Sequence, residues 1–482
     1  MQFVHGMPLI NFSGLASGID TEALIQATTD AARAQKITPS ANKVESLQET
    51  NLALQELKTK FLGLQSLTMG FSSLNGGALS KLATSSNETI LTASASKSAP
   101  NGNYAIETLQ LAKNATLSFS SSSVIYESPD QVVLSFDDTP IGNEGTLTIT
   151  IGSGDNEEIV DVELDEFSTL NDLIVEFNEK SSKGQATLIN AGTASNPDYR
   201  PVFTSNAEGV ENGLIGFSMD GELGSLWFDE SAQDQATNSL FTIAGIGGEI
   251  ERSSNTVSDV LPGVSFTLHS LGSATVSVNN DTAETTASVQ EFIESFNEIV
   301  EFINENNKVV REENGQNLTN IFGSLASTRV DNNALASLRS GITSSTYVDE
   351  SEENAIRMFA DLGITTEKEG TLAFDPAKLE EALSSEPESV NNILKNFADT
   401  VATTAGSIAQ FTQFNGLFDT TVKGNEKQVS NLNDRIARAE ASILRQEQMM
   451  RQRFARLEAV MGEMQNQQAA LTAALSGLGF DN

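Results

Sequence analysis

At 482 residues the chain exceeds what one ordinary hydrophobic core organises, so two to four domains are expected. It has no Cys and only two His, His5 and His269, which excludes disulfides, thiolate metal sites, nucleophilic thiols and His-rich zinc centres. The net charge of −37 lies almost wholly between residues 84 and 420, where 14 basic side chains face 52 acidic ones, and a field of that sign excludes nucleic acid as a partner.

No run of residues is apolar enough to insert into a bilayer, and the first thirty lack the charged-then-apolar order of a cleaved signal peptide. Asp20 is a plausible N-cap for a helix over TEALIQATTDAARAQK, which Thr38-Pro39 interrupts with a second cap-plus-first-turn signal. Leu54, Leu57, Phe61 and Leu64, continued by Leu67, Phe71 and Leu74, then recur at three and four residues, predicting one apolar stripe that Gly76-Gly77 stops. The first four are candidate interface residues of an N-terminal helix.

Short alternating runs bounded by Gly, Asn, Asp or Ser predict strands at 104–111, 145–151, 159–164, 241–244, 264–269 and 274–278, with an amphipathic helix over 169–180. His269 reads as a strand position in VSFTLHS. A capping box, Ser288-Val-Gln-Glu291, is expected to open a second helical region with Val289, Phe292, Phe296, Ile299 and Ile303 on one face; Asp375-Pro376 caps a further helix. The fold class is α+β: long terminal helices and a helical inner domain, with β-rich domains inserted between them. The expected division is 1–40 with 421–482 as a terminal coiled-coil leg, 41–83 with 281–420 as the helical inner domain, 84–130 with 241–280 as a β-rich plate, and 131–240 as an outer α+β domain.

The C-terminal end carries the strongest pattern. Val429, Leu432, Ile436, Ile443, Met450, Phe454, Leu457, Met461, Met464, Leu471 and Leu475, with Ala439, Gln446, Gln468 and Leu478 filling the intervening positions, form a heptad seam. A doubled step of four from Met450 to Phe454 is a stutter. Such a strip, ~75 Å long at ~1.5 Å per residue, outruns any globular core and needs the N-terminal helix or another subunit as partner. Arg435, Arg438, Arg445, Arg451, Arg453 and Arg456 alternate with Asp434, Glu440, Glu447 and Glu458, as on the solvated flanks of a coil.

Signatures of nucleotide, serine-hydrolase and zinc-protease chemistry are absent; Gly245-Ile-Gly247-Gly248 reads as a hairpin turn. Asp161, Glu163 and Asp165 share one strand face but lack the Gly and closing Glu of a calcium loop. No catalytic residue, metal ligand or cofactor site is therefore assigned, and the chain reads as a non-enzyme.

Five segments in order carry a resemblance: GLASGIDTEALI (14–25), GNYAIETLQLA (102–112), SNTVSDVLPGVSFTL (254–268), DLGITTEKEGTLAFDPAKLEEAL (361–383) and GLFDTTVKGNEKQVSNLNDRIA (416–437). They resemble the flagellar hook-associated protein 2 family, the filament caps, while residues from about 115 to 240 match weakly. The resemblance implies an exported protein at the distal tip of the bacterial flagellum, assembled as a ring-shaped homo-oligomer, commonly a pentamer. It would hold back flagellin and promote its folding and polymerisation. The partners implied are further copies of the chain, flagellin, the hook–filament junction protein and an export chaperone. A flagellin, a junction protein, or a carboxylate-dependent polysaccharide-degrading enzyme are the alternative readings.

Overall fold

A computed structural model describes residues 20–119, 125–133, 135–136, 139–140, 144–221, 233–314, 317–348 and 356–477. His5, the first six residues of the opening motif and Leu478 lie outside them. The described helices are α1 (Thr21–Lys36), α2 (Thr38–Met69), α3 (Leu170–Lys180), α4 (Val210–Gly213), α5 (Thr282–Asn306), α6 (Val330–Ser344), α7 (Pro376–Ser385), α8 (Pro387–Val401), α9 (Ala409–Thr412) and α10 (Leu417–Gly477). The chain forms two compact units: residues 1–72 with 286–482, and residues 73–285.

Local chemistry sets most helix ends. The Asp20 carboxylate accepts the Ala23 N–H at 2.9 Å, and α1 gives way to α2 at Ile37. Pro39 lies in the first turn of α2, where its missing N–H costs nothing; Ile37 is the N-cap, so Thr38 is the first helical residue and not a cap. α2 stops at Met69, earlier than Gly76-Gly77. The N–H groups of Gly70 and Phe71 turn to the carbonyls of Leu67 and Thr68, tightening the last turn, and a 3₁₀ turn, Ser73–Asn75, follows. Leu74 consequently leaves the stripe and is 79% exposed. α5 begins at Thr282, ahead of the expected Ser288 box, because Asp281 accepts the Glu284 N–H at 2.9 Å and its carbonyl takes the Thr285 hydroxyl. Ser288 lies inside the helix.

In the helical unit, Leu54, Leu57, Phe61 and Leu64 of α2 are wholly buried. Phe61 meets Phe418 of α10 at a ring separation of 5.7 Å, and Phe292 of α5 packs against Phe71 at 6.3 Å and Phe397 of α8 at 5.3 Å. Each such side chain withdrawn from water contributes about 1.5–3 kcal/mol before entropy is counted.

The 73–285 unit holds two apolar cores. One lies between a five-stranded antiparallel sheet, in spatial order Lys81–Ser85, Gly272–Asn280, Gly102–Gln110, Ser239–Ile243 and Ile250–Arg252, and a three-stranded sheet of Thr256–Leu261, Val264–Leu268 and Leu91–Ala95. Phe241 and Phe266 meet edge to face in it at 5.4 Å. The turn after Ile243 takes positive φ at Gly245 and Gly248, as the hairpin reading requires. The other core packs α3 with a four-stranded sheet (Gln233–Asp234, Thr116–Ser118, Tyr199–Ser205, Gly184–Asn190) and a three-stranded one (Ile215–Gly221, Glu144–Ile151, Glu158–Asp165). Phe177 of α3 stands edge to face on Phe203 at 4.9 Å. A reciprocal capping box starts α3: Thr169 accepts the Asp172 N–H, and Asp172 accepts the Thr169 N–H at 2.9 Å.

Glu158 ties the start of its strand to the turn after α3. Desolvation alone would raise its pKa, but hydrogen bonds from the Ser182 hydroxyl and N–H, the Ser181 hydroxyl and the Lys183 N–H outweigh this and hold it at about 2, against an ordinary 4.5. A depressed carboxylate stabilises the fold fully above its unfolded value and loses that contribution as the pH falls through its folded one. Glu158→Gln should therefore lower the urea midpoint of this unit at pH 7, and the gap from wild type should close between pH 4.5 and about 2. A gap that stayed constant over that range would show that the ionised carboxylate is not the acting form.

Candidate functional site: the paired terminal helices

α10 is a single helix of 61 residues, ~92 Å long at ~1.5 Å per residue. Three polar contacts fix its direction against α2 and α1. Lys58 donates to Asp419 at 2.6 Å, Asn425 to Asn51 at 2.8 Å, and the Arg451 guanidinium grips both oxygens of Glu22. Residue numbers fall along one partner as they rise along the other, so the pairing is antiparallel.

These contacts differ in weight. Lys58 and Asp419 are about three-quarters buried, and the hydrogen bond from Lys58, with help from the Asn415 N–H and nearby Lys423, pulls the Asp419 pKa below the ordinary carboxylate range. Arg451 is nearly half exposed; its fork on Glu22, backed by Glu447 one turn earlier, raises its pKa and sets register more than stability.

Burial divides the seam along its length. Val429, Leu432 and Ile436 are half-buried, and Ile443 is only 1% exposed. Met450, Phe454 and Met461 are half-buried around the stutter. Beyond it Leu457 is 47% exposed, Met464 64%, and Leu471 and Leu475 62% each. The proximal seam is thus packed within the subunit, and the distal seam presents apolar side chains to solvent. The four α2 positions, Leu54, Leu57, Phe61 and Leu64, lie in the core of the helical unit, where Phe61 touches α10 through Phe418.

The sequence reading singled out neither Lys58 and Asp419 nor the Phe414 turn. In the segment FTQFNGLF, Phe411, Phe414 and Phe418 recur at three and four residues as on one helix face, and Asn415-Gly416 is a turn signal that breaks that face. Among the described residues no group of three His, Asp or Glu side chains is placed to hold a metal ion, and no helix is long and apolar enough to cross a membrane. Asp161, Glu163 and Asp165 line the exposed face of an edge strand, where acidic side chains discourage pairing with another chain.

Comparison with known proteins points one way. The family model for the N-terminus of flagellar hook-associated protein 2 matches residues 17–115, and that for its C-terminus residues 236–466. The A-type flagellar hook-associated protein 2 of Pseudomonas aeruginosa is 27% identical over 97% of both chains, and the B-type protein of strain PAO1 is 26% identical over 91% of this chain and 93% of its own. The crystal structure of the D1-D2-D3 domains of the Escherichia coli flagellar cap protein FliD shares the fold, with a TM-score of 0.57 at 21% identity, over 77% of this chain and 99% of that one. The segment between the two matched regions contains most of the α3 core, the part of the sequence that also resembles the family least. With both family models matched in order at the two ends of the chain, the protein belongs to the flagellar hook-associated protein 2 family, the caps at the distal tip of the bacterial flagellar filament.

Proposed function

We propose that the chain caps its filament as a ring of identical subunits, with the distal half of α10 as the part of each leg that contacts neighbouring protein. The observation that carries this reading is the row Leu457, Met464, Leu471 and Leu475, exposed on a helix too regular in its spacing to be an unselected surface. In this reading the leg comprises residues 1–40 and 421–482 and rests on flagellin. Residues 41–83 with 281–420 form the inner helical part, 84–130 with 241–280 a plate, and 131–240 the outermost domain. A pentamer is the expected stoichiometry. Flagellin arriving unfolded is retained beneath the plate and folds into the filament, with binding and folding supplying the free energy and no hydrolysis by the cap. The hook–filament junction protein is the neighbour before the filament grows, and an export chaperone covers the apolar coil before secretion.

Two sets of substitutions separate packing inside the subunit from contact outside it. Ile443→Ala should lower the unfolding free energy of the purified chain by about 2 kcal/mol or more, since a fully buried side chain is lost. Leu471→Ala should change it by no more than about 0.5 kcal/mol. Urea melts followed by circular dichroism measure both.

The triple variant Leu457→Asp, Met464→Asp, Leu471→Asp tests the function. It should melt as wild type does, yet cells carrying it as their only copy should release flagellin monomer into the medium and grow few filaments. Full-length filaments on cells that export the variant normally would sink the reading.

A further inference from the structure

The turn between α9 and α10 holds an aromatic side chain out into solvent. Phe414 is 87% exposed, which is costly for a ring of its size unless something covers it. The turn is fastened on every side. Asn415 takes a positive φ of 59° and donates its N–H to Asp419 at 3.0 Å, Asp419 is held by Lys58 of α2, and the Gly416 N–H returns to the Gln413 carbonyl at 2.8 Å. Lys423 bonds the Asn415 side chain and places its ammonium 5.7 Å from the Phe414 ring centre. Phe414 is thus an anchor held in place before any partner arrives, with a positive charge beside it and half-exposed Leu417 nearby.

The same helical unit contains a recess of the complementary kind. An open cavity of about 370 Å³ between α2 and α5 is lined by Leu52, Ala53, Phe302, Glu49 and Glu56, and the Lys60 ammonium lies 5.9 Å from the centre of the Phe302 ring. Leu52 is 68% exposed. Asn306 and Ser324, also in its wall, lie at the base of the hairpin Val309–Asn314 with Asn317–Phe322, whose Val309 and Phe322 are 54% and 65% exposed. The carboxylates of Glu49 and Glu56 leave this lining acidic, since the Lys60 ammonium at Phe302 is already paired with Glu298 at 3.2 Å; the Phe414 turn is aromatic at its tip with Lys423 beside it.

The two features lie on opposite flanks of α2. At ~100° per residue, Asn51 and Lys58, which bond α10, point roughly 160° away from the direction shared by Glu49, Leu52, Ala53 and Glu56. A subunit therefore cannot fill its own recess with its own Phe414, and a second copy can. We propose that Phe414 docks into the Leu52–Phe302 recess of a neighbouring copy of this chain, with Lys423 meeting Glu49 and Glu56. Contact between two different patches is head-to-tail and can be repeated from copy to copy until a ring closes. The inference rests on the oligomeric part of the proposed function and names the residues that make it.

The absence of native Cys allows a direct test on the full-length purified chain. Gln413→Cys, beside the anchor, and Leu52→Cys alter exposed side chains and keep Phe414 in place. Mixed under mild oxidation, the two single variants should give a disulfide-linked heterodimer as the main product, since a disulfide forms only where Cα atoms approach within about 7 Å. Either variant alone should stay largely uncrosslinked, and the double variant should give a ladder of covalent oligomers. In sedimentation, Phe414→Ala should weaken self-association by about tenfold or more, as loss of a central aromatic anchor does. Lys423→Glu should weaken it as well, with recovery when Glu49→Lys and Glu56→Lys are added. A dominant Gln413→Cys homodimer, no heterodimer, or a wild-type chain that stays monomeric at every concentration would each overturn the proposal. If the contact fails while the distal-seam variant still abolishes filaments, capping stands and only this interface is wrong.

Discussion

The helical unit exists only if the two ends of the chain meet. α2 carries a fully buried face, Leu54, Leu57, Phe61 and Leu64, and part of what covers it arrives more than three hundred residues later, as Phe418 and the start of α10. The Lys58–Asp419 pair bridges 361 positions. Closing so long a loop is less costly than it looks, because loop entropy grows only with the logarithm of length and because the inserted unit brings its own ends together. Strand Lys81–Ser85 pairs antiparallel with Gly272–Asn280, and the Ser80 N–H bonds the Thr285 hydroxyl at 3.0 Å. Once the insertion has folded, the chain that enters it and the chain that leaves it are already neighbours. The helical unit cannot be completed until its C-terminal helix is available.

What the sequence disclosed follows from which interactions are local. Strand periods, the Asp20 cap, the helix over 169–180 and the Gly245–Gly248 turn depend on a few adjacent residues and were readable, whereas Thr169 proved to be the cap of α3 and not its first residue. The end of α2 was misplaced because the stripe continues through Phe71 to Leu74, while the helix itself fails earlier, at Gly70. The Ser288 box is a valid local signal that a stronger one upstream, at Asp281, renders redundant. Periodicity identifies a covered face and not its cover: nothing in the spacing of Leu54 to Leu64 tells a coil partner from a globular core, and Ile443 and Leu475 occupy equivalent heptad positions with opposite burial. The exposure of Phe414 was hidden for a different reason: it shares a helical spacing with Phe411 and Phe418, which are buried, and only the turn at Asn415 takes it off that face.

The uneven charge also has a structural counterpart. The edge strand Glu158–Asp165 alternates Val160, Val162 and Leu164 inward with Asp161, Glu163 and Asp165 outward, so the acids occupy the positions that must face water if the core is to form. Side chains of α3 close part of that sheet edge, Glu176 accepting the Glu163 N–H at 3.3 Å and Lys180 donating to the Asp161 carbonyl at 2.8 Å. The excess of acid over base in the middle of the chain thus serves solubility at the edge of the fold while leaving its interior as apolar as any other, and the near-neutral terminal helices are left free to associate.

The continuity of α10 has a mechanical side. One unbroken helix is anchored by Phe418 in the core of the helical unit and runs on through residue 477, so its far end is geared to its root. Over a rod of ~90 Å, a tilt of roughly 5° at the anchored end displaces the tip by about 8 Å, more than one helical turn. Repacking around Phe61 and Phe418 too slight to disturb the fold would therefore move the far end of α10 by more than its root. The stutter at Met450 to Phe454, where the supercoil locally unwinds, is the point along the lever at which part of that swing can be absorbed.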